Sequence, residues 1–404
     1  MKKVLFVISS LGKGGAERAL SNLTLNFPPD WQIDILLNSD KIIEYPYRGN
    51  ILTLGMNGKP KMDSFIYHFR LLFKRIFVLR KLKRQNDYCA CISFLDSANI
   101  ANILSGNKYC KSIISVRASL IEQSKRPKYK LVLNSLVKIF YHHADKIVAV
   151  SEGIKDELIC YYKLSADSVI AIRNGYNVQD IRRKSCEALR EDEQLLFESD
   201  KVIVTVGRLT EQKAQWHLIR AFSEVIRHEA KAKLLIFGTG HLEKQLKQLV
   251  EELFSEDNEE RVVFKGVADN PYQYISRACL FVLPSLYEGF PNTLAEAVCL
   301  GAPCVATDFK TGAREILAPD MNVQGETIKE IKEVQYGILT PVCSGMQYDA
   351  RAPLEYQEEC LAKTILLLLQ DDKKREEYAE KSLLRSEDLG IDNIVQKWIT
   401  VIEE

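Results

Sequence analysis

The sequence contains no run of about 18 uncharged apolar residues, so no membrane-crossing helix is expected from it. Its 10 cysteines include no Cys-x-x-Cys pair: Cys89 and Cys91 are one residue apart, and Cys299 and Cys304 lie inside apolar runs. Buried, reduced thiols in a cytosolic protein are the expectation. Histidine is scarce, with 6 residues scattered along the chain, and the neighbours His142 and His143 cannot both face one site. No structural zinc site is expected. No Asp-x-Asp stands at a strand end, and no repeat relates one half to the other. The opening Met1–Ile8 superficially resembles a secretion signal. Its apolar stretch is too short, and Gly12, Lys13, Gly14 and Gly15 stand where a small-residue cleavage site should be, so it reads as a first strand.

What is present is ordinary in bulk and unusual in distribution. A chain of 404 residues predicts two or three domains at roughly 150 residues each. With 46% hydrophobic and 27% charged residues, collagen-like, disordered and multi-span membrane classes are excluded. The net charge of +1 hides an asymmetry: residues 1–185 carry 30 Lys and Arg against 15 Asp and Glu, and the remainder carries 25 against 39. Such a split points to an anionic partner for the first half.

Short apolar runs alternate with helical patterns. Val4–Ser9, Gln32–Leu37, Ala90–Ser93, Ser112–Val116, Lys146–Val150 and Val169–Ile172 read as strands, the last leading into the turn pair Asn174-Gly175. The polar stretch 182–200 suggests a boundary. A second series follows, with strands Val202–Val206, Lys233–Phe237, Val262–Lys265, Leu280–Pro284 and Cys304–Thr307 and helices between them. The rhythm predicts two doubly wound, mostly parallel α/β domains, 1–185 and 186–385. A terminal helix, about 386–404, is free to pack back on the first domain. Two such sheets predict a ligand cleft at the carboxyl ends of their strands.

Four segments carry chemistry. Gly12-Lys13-Gly14-Gly15 opens the first helix, but its Gly-x-Gly-Gly spacing, and Asn38-Ser39 after the second strand, disfavour a dinucleotide site. A plain glycine turn is the bland alternative. Arg208 and Lys213 leave a strand end on a loop, where a phosphate would need positive charge. In Ser285–Ala297, Gly289 allows an unusual backbone angle and Pro291 suits the first helical position. The amides of Asn292, Thr293 and Leu294 would then offer a diphosphate site. Glu288 and Glu296 straddle the helix start; alone, such a pair reads first as a helix-end charge and a solvated surface glutamate. The segment Lys59–Arg84 combines aromatics with Lys74, Arg75, Arg80, Lys81, Lys83 and Arg84, and reads as a membrane-surface helix or as a core helix with a solvated basic face. No nucleic-acid motif accompanies the charge.

Together the segments Gly14-Gly15-Ala16-Glu17, Val150-Ser151, Arg173-Asn174-Gly175, Gly207-Arg208 through Lys213, Phe264-Lys265-Gly266 and Ser285 through Glu296 resemble, in order, the family-4 retaining glycosyltransferases of the GT-B fold. The resemblance spans nearly the whole chain. It implies two Rossmann-like domains facing across a cleft and transfer of a sugar from a nucleotide-sugar, UDP-linked, with retention. Glu296 would hold the ribose hydroxyls, and Arg208 and Lys213 the diphosphate, helped by the Gly289, Phe290, Pro291, Asn292, Thr293 and Leu294 turn. Glu288 would contact the transferred sugar. Lys265, Gly266 and Val267 would frame the base, and Gly14 and Gly15 would line the cleft. With fixed cations and a helix dipole stabilising the leaving group, neither a metal nor another cofactor is expected.

Many relatives have a histidine where this chain has Arg117, and an arginine cannot serve as a base at neutral pH. Ser93–Ile100 looks like a stretch found in members that act on polyprenyl-diphosphate sugars, which makes Asp96 and Asn99 candidates for touching the acceptor; a helix cap is the alternative. The expectation is a hexosyl- or N-acetylhexosaminyltransferase for surface polysaccharide. It would be cytoplasmic and peripheral on the inner face of an anionic membrane, with a lipid-linked glycan as acceptor and no nucleic acid as partner. Rival readings are a transferase for a small sugar, a GT-B epimerase, and a non-catalytic nucleotide-sugar-binding scaffold.

Overall fold

The central strands of this chain are buried on both faces, which suits a parallel sheet covered by helices on either side. The structure, a computed structural model, describes residues 2–56, 65–124, 130–199, 201–254, 260–323 and 325–404. It divides into two units, Met1–Gly175 with Gly390–Glu404, and Tyr176–Leu389. Among the described residues, no helix is long and apolar enough to cross a membrane.

The first unit holds β1 (Lys3–Val7), β2 (Gln32–Leu37), β3 (Asn50–Thr53), β4 (Ala90–Phe94), β5 (Lys111–Val116), β6 (Lys146–Ala149) and β7 (Val169–Ala171). They form one parallel sheet in the order β3-β2-β1-β4-β5-β6-β7. Alternation along β1 sorts the core. Val4 and Phe6 join Leu20 and Leu23 of helix Gly15–Asn26 and Ile394 and Trp398 of helix Ile391–Glu403. Leu5 and Val7 join Leu71, Ile76 and Leu79 of helix Phe65–Gln85 and Ala98 and Ala101 of helix Asp96–Leu104. The terminal helix therefore packs in the first unit, and Trp398 stacks on Phe94 of β4. It runs so close to Gly175 that a Cβ there would lie 2.9 Å from the Ile391 Cα.

The second unit holds β8 (Lys201–Val206), β9 (Ala232–Phe237), β10 (Val262–Gly266), β11 (Leu280–Leu283), β12 (Cys304–Thr307), β13 (Lys332–Val334) and β14 (Gly337–Thr340), in the order β10-β9-β8-β11-β12-β14-β13. All pair in parallel except β13 with β14. In each sheet the order reverses beside the first strand, between β1 and β4 and between β8 and β11. Those are the points where doubly wound sheets open a crevice for ligands.

The stretch 182–200 is not a linker. It carries the end of helix Val178–Ser185 and helix Glu191–Ser199, whose polar sequences reflect surface positions with Ile181 and Glu193 turned inward. The division falls earlier, after Gly175. Tyr176 is already buried in the second unit, where its hydroxyl donates to Asn292 Oδ1 at 2.6 Å.

Candidate active site

The switch point of the second sheet is where two strand-end loops meet. The loop after β8 runs through Arg208 and Lys213 to helix Gln215–His228, and the loop after β11 runs through Ser285 and Glu288 to helix Asn292–Cys299. Lys213 Nζ pairs with Glu288 Oε1, both largely buried. Ser285 Oγ donates to the same carboxylate at 2.9 Å and Gln212 Nε2 at 3.0 Å; Gln212 also reaches the Tyr287 carbonyl at 3.0 Å. The amide of Leu286 donates to the Gln212 carbonyl at 2.9 Å. The Lys213 stem crosses Gly207 so closely that a Cβ there would sit 3.1 Å from its Cδ and Cε. Arg208 differs. It is exposed, and no described residue accepts a hydrogen bond from its guanidinium.

Helix Asn292–Cys299 begins from extended backbone at Pro291, which supplies no side-chain cap. Its first-turn amides therefore keep the partial positive charge of a helix start. Phe290 and Leu294 are buried, as is Glu296 on the next turn. The Thr293 hydroxyl is buried with no hydrogen-bond partner among the described residues. The left-handed glycine of this site is Gly312 (φ +93°), not Gly289. Gly312 lies against the turn from behind, where a Cβ would come within 2.5 Å of Pro291 Cδ. Beside it, the Thr311 hydroxyl donates to the Glu288 carbonyl.

At the end of β10, Lys265 Nζ is held by Glu193 at 2.8 Å and lies over the Tyr274 ring. Its side chain is thus committed to its own unit. Gly266 turns the chain in the left-handed region (φ +65°) with open space around it, and Val267 is exposed. Sequence reasoning missed the loop between β9 and these residues. Gly238 (φ +126°) and Gly240 press on the backbone of 207–209, where added Cβ atoms would lie 2.0 and 2.1 Å from the carbonyl oxygens of Gly207 and Leu209. The signal was available as a Gly-x-Gly directly after an apolar strand. Gln212, Ser285 and Thr311 carry no comparable sequence mark.

In the first unit, Gly14 is extended (φ −140°) ahead of helix Gly15–Asn26, and the Glu17 carboxylate folds back over it. Asp96, Asn99 and Arg117 come together at the ends of β4 and β5. The Tyr141 hydroxyl donates to Asp96 Oδ1 at 3.0 Å, and burial raises the Asp96 carboxyl above its ordinary range. Arg117 donates to Ser115 Oγ at 3.4 Å and to Asn174 Oδ1, and lies over the Phe94 ring. Asn99 corrects the expectation that it touches an acceptor. It is wholly buried, accepting from Ser93 Oγ at 2.9 Å and donating to the Ser115 carbonyl at 3.0 Å, so it ties loop to sheet.

The basic segment also divides differently. Residues 57–64 lie outside the described residues. Within helix Phe65–Gln85, Lys74, Arg80, Lys81 and Arg84 are exposed beside Phe69, Phe73 and Phe77, which are 52%, 43% and 64% exposed. Arg75 and Lys83 cannot meet a membrane surface, because both are buried. Lys83 Nζ donates to the carbonyls of Asn102 and Gly106 and to Ser112 Oγ at 2.8–3.0 Å. One cluster, His217, Cys343 and Glu355, brings potential metal-ligand atoms within 4.8 Å of one another. His217 already spends Nδ1 on Glu358 (2.8 Å) and Nε2 on the Gly345 amide (3.2 Å), so the cluster is a structural network.

Comparison with known proteins extends this geometry. Residues 13–180 match the family model described as Glycosyltransferase Family 4, and residues 200–335 the one described as Glycosyl transferases group 1. An uncharacterized glycosyltransferase of Methanocaldococcus jannaschii is 32% identical over 358 residues, 86% of either chain. The N-acetylgalactosamine-N,N'-diacetylbacillosaminyl-diphospho-undecaprenol 4-alpha-N-acetylgalactosaminyltransferase of Campylobacter jejuni is 28% identical, over 96% of this chain and 95% of its own. Among solved structures, Anabaena HepE in complex with UDP matches with a TM-score of 0.73 at 18% identity, each chain covered in full. At that identity the likeness speaks for the fold.

Proposed function

We propose that this chain, which belongs to glycosyltransferase family 4 and is a glycosyltransferase of the GT-B type, transfers a hexosyl or N-acetylhexosaminyl group from a UDP-sugar to a lipid-diphosphate-linked glycan, with retention of configuration. The observation that carries the donor half is the Lys213–Glu288 pair beside the exposed Arg208, at the switch point of the second sheet. Breaking a sugar–phosphate bond builds negative charge on the leaving diphosphate. Arg208, Lys213 and the uncapped start of helix Asn292–Cys299 are fixed positive groups suited to that charge. In this reading Glu288, held by Ser285 and Gln212, meets the sugar, and Glu296 the ribose. These cations supply what a divalent metal would, so the reaction is metal-independent in this reading.

The acceptor half is supported by relatives named for undecaprenol-diphosphate glycans and by the exposed aromatic and basic face of helix Phe65–Gln85. The protein would work on the inner face of the cell membrane, held at its surface. The test is a screen of UDP-sugars and other nucleotide-sugars against short-chain polyprenyl-diphosphate glycans and free sugars, with and without excess EDTA. Transfer from a UDP-sugar to a polyprenyl-diphosphate glycan that persists in EDTA is expected. Transfer to free sugars alone would overturn the acceptor assignment, and loss in EDTA restored by magnesium or manganese would overturn the account of the leaving group.

A further inference from the structure

Arg75 carries the sequence's cationic pattern into the interior. It is 1% exposed, and its guanidinium donates to Ser97 Oγ at 3.0 Å, to Ser9 Oγ at 3.4 Å and to Asn38 Oδ1. All three partners are neutral, and no described carboxylate pairs with it. Burial pulls its pKa down to about 10, which still leaves it charged at neutral pH. A buried charge without a counter-charge is costly, and proteins keep one chiefly where something else completes it.

The position of the three partners says what completes it. Ser9 follows β1, Asn38 follows β2 and Ser97 lies just past β4. Ser9 and Ser97 thus stand on either side of the point where the order of the first sheet reverses. A hydroxyl that accepts from a guanidinium keeps its own proton to donate. Neither serine donates its hydroxyl proton to a described residue. Ser97 is exposed and Ser9 half-buried, so both protons are within reach of a ligand that Arg75 itself cannot touch. The neighbouring acid, Asp96, has Oδ1 turned to the Tyr141 hydroxyl.

We propose that Ser9 and Ser97, polarised from behind by Arg75, form a binding site for a phosphoryl group at the switch point of the first sheet. In the reaction proposed above, that group is the diphosphate of the acceptor, and only this assignment rests on that reading. The site itself rests on the buried charge and the two unspent hydroxyl protons.

The test uses the full chain with saturating UDP, so that the second unit does not compete. Farnesyl diphosphate, inorganic pyrophosphate and farnesol are titrated calorimetrically against wild type, the Ser9→Ala/Ser97→Ala double variant and Arg75→Lys. Both diphosphates should bind the wild type, and the double variant should weaken binding at least tenfold while its unfolding midpoint stays within a few degrees. Arg75→Lys, which keeps charge without the fork, should fall between. Equal loss for both diphosphates assigns recognition to the phosphoryl group alone; loss for farnesyl diphosphate only assigns it to a lipid headgroup. Unchanged affinity for both diphosphates in the folded double variant would overturn the site. In turnover, the double variant should raise the KM for a lipid-diphosphate acceptor and leave the donor KM alone. Diphosphate binding that depends on these serines, in a protein that glycosylates no acceptor, would sink the proposed function and leave the site standing.

Discussion

Lys213 and Glu288 form a salt bridge that joins the loop leaving β8 to the loop leaving β11. The pair is largely shielded from water and is surrounded by the hydrogen bonds of Gln212 and Ser285. Breaking such a pair leaves an uncompensated charge, so it fixes the spacing of the two loops more firmly than an exposed pair would. Arg208, a few residues earlier, contributes no comparable bond to a described residue, and its side chain is exposed.

This contrast separates two variants. Arg208→Ala should lose turnover by about 100- to 1000-fold, the usual range for one preorganised charge contact to a transition state. Its unfolding midpoint should not move, because nothing described depends on its guanidinium. Glu288→Ala should lose at least as much turnover and also some stability, since Lys213 loses its partner. Steady-state rates and thermal melts on both proteins check this, and a near-wild-type rate in either folded variant contradicts the site.

Gly312 offers a test of the turn that bears Glu288 and Pro291. A side chain there would combine a left-handed backbone with a Cβ 2.5 Å from Pro291 Cδ. Gly312→Ala should therefore cost about 1–3 kcal/mol of stability and raise the donor KM several-fold. Donor titration and a melt read both, and an unchanged donor KM would mean that the turn does not need its backing.

The alternation of strands and helices was legible because each buried strand is a short apolar run bounded by turn residues, as in Val202–Val206 before Gly207. The helix start after β11 was legible because Pro291 suits the first helical position and the glutamates flank it. What stayed hidden depends on tertiary distance. Gln212, Ser285 and Thr311 are ordinary loop residues until folding sets them on Glu288. Asn99, Arg75 and Lys83 look like surface polar residues because composition does not reveal which face of a helix turns inward. The unusual backbone angle expected at Gly289 is found at Gly312, a residue from a different loop.

Glu193 predicts a pH effect on stability. Burial alone would raise its pKa, but hydrogen bonds from Lys265, Arg190 and Tyr274 outweigh burial and hold it at about 2, below the ordinary 4.5. An unfolded chain takes up this proton near the ordinary value while the folded protein resists. The stabilisation is thus complete above pH 4.5 and is lost as pH falls towards 2. At about 1.4 kcal/mol per unit it amounts to roughly 3 kcal/mol at most, less whatever solvent screens from Arg190. Glu193→Gln should melt several degrees below wild type at pH 7, and the gap should close near the acid limit. A gap of equal size at both ends of a pH series would assign the loss to packing instead.

The outer face of helix Phe65–Gln85 leads to the last prediction. Phe69, Phe73 and Phe77 recur every fourth residue, so they share one side of the helix, and Phe69 and Phe73 touch at 4.4 Å between ring centres. Arg70, Lys74, Arg80, Lys81 and Arg84 are exposed around them. Cations near an anionic bilayer contribute about 1 kcal/mol each, and salt weakens this within a Debye length of about 8–10 Å. Inserted rings do not respond to salt in this way. The protein should therefore sediment with anionic vesicles at low salt and bind neutral ones weakly. Arg80→Ser/Lys81→Ser/Arg84→Ser should release it at moderate salt. Phe73→Ser/Phe77→Ser should remove the binding that survives high salt. Lys83→Ser should behave differently, lowering the melting temperature with little effect on vesicle binding, because its amine is spent on Asn102, Gly106 and Ser112. A wild-type protein that ignores anionic vesicles at low salt would leave this face solvated and the membrane assignment without support.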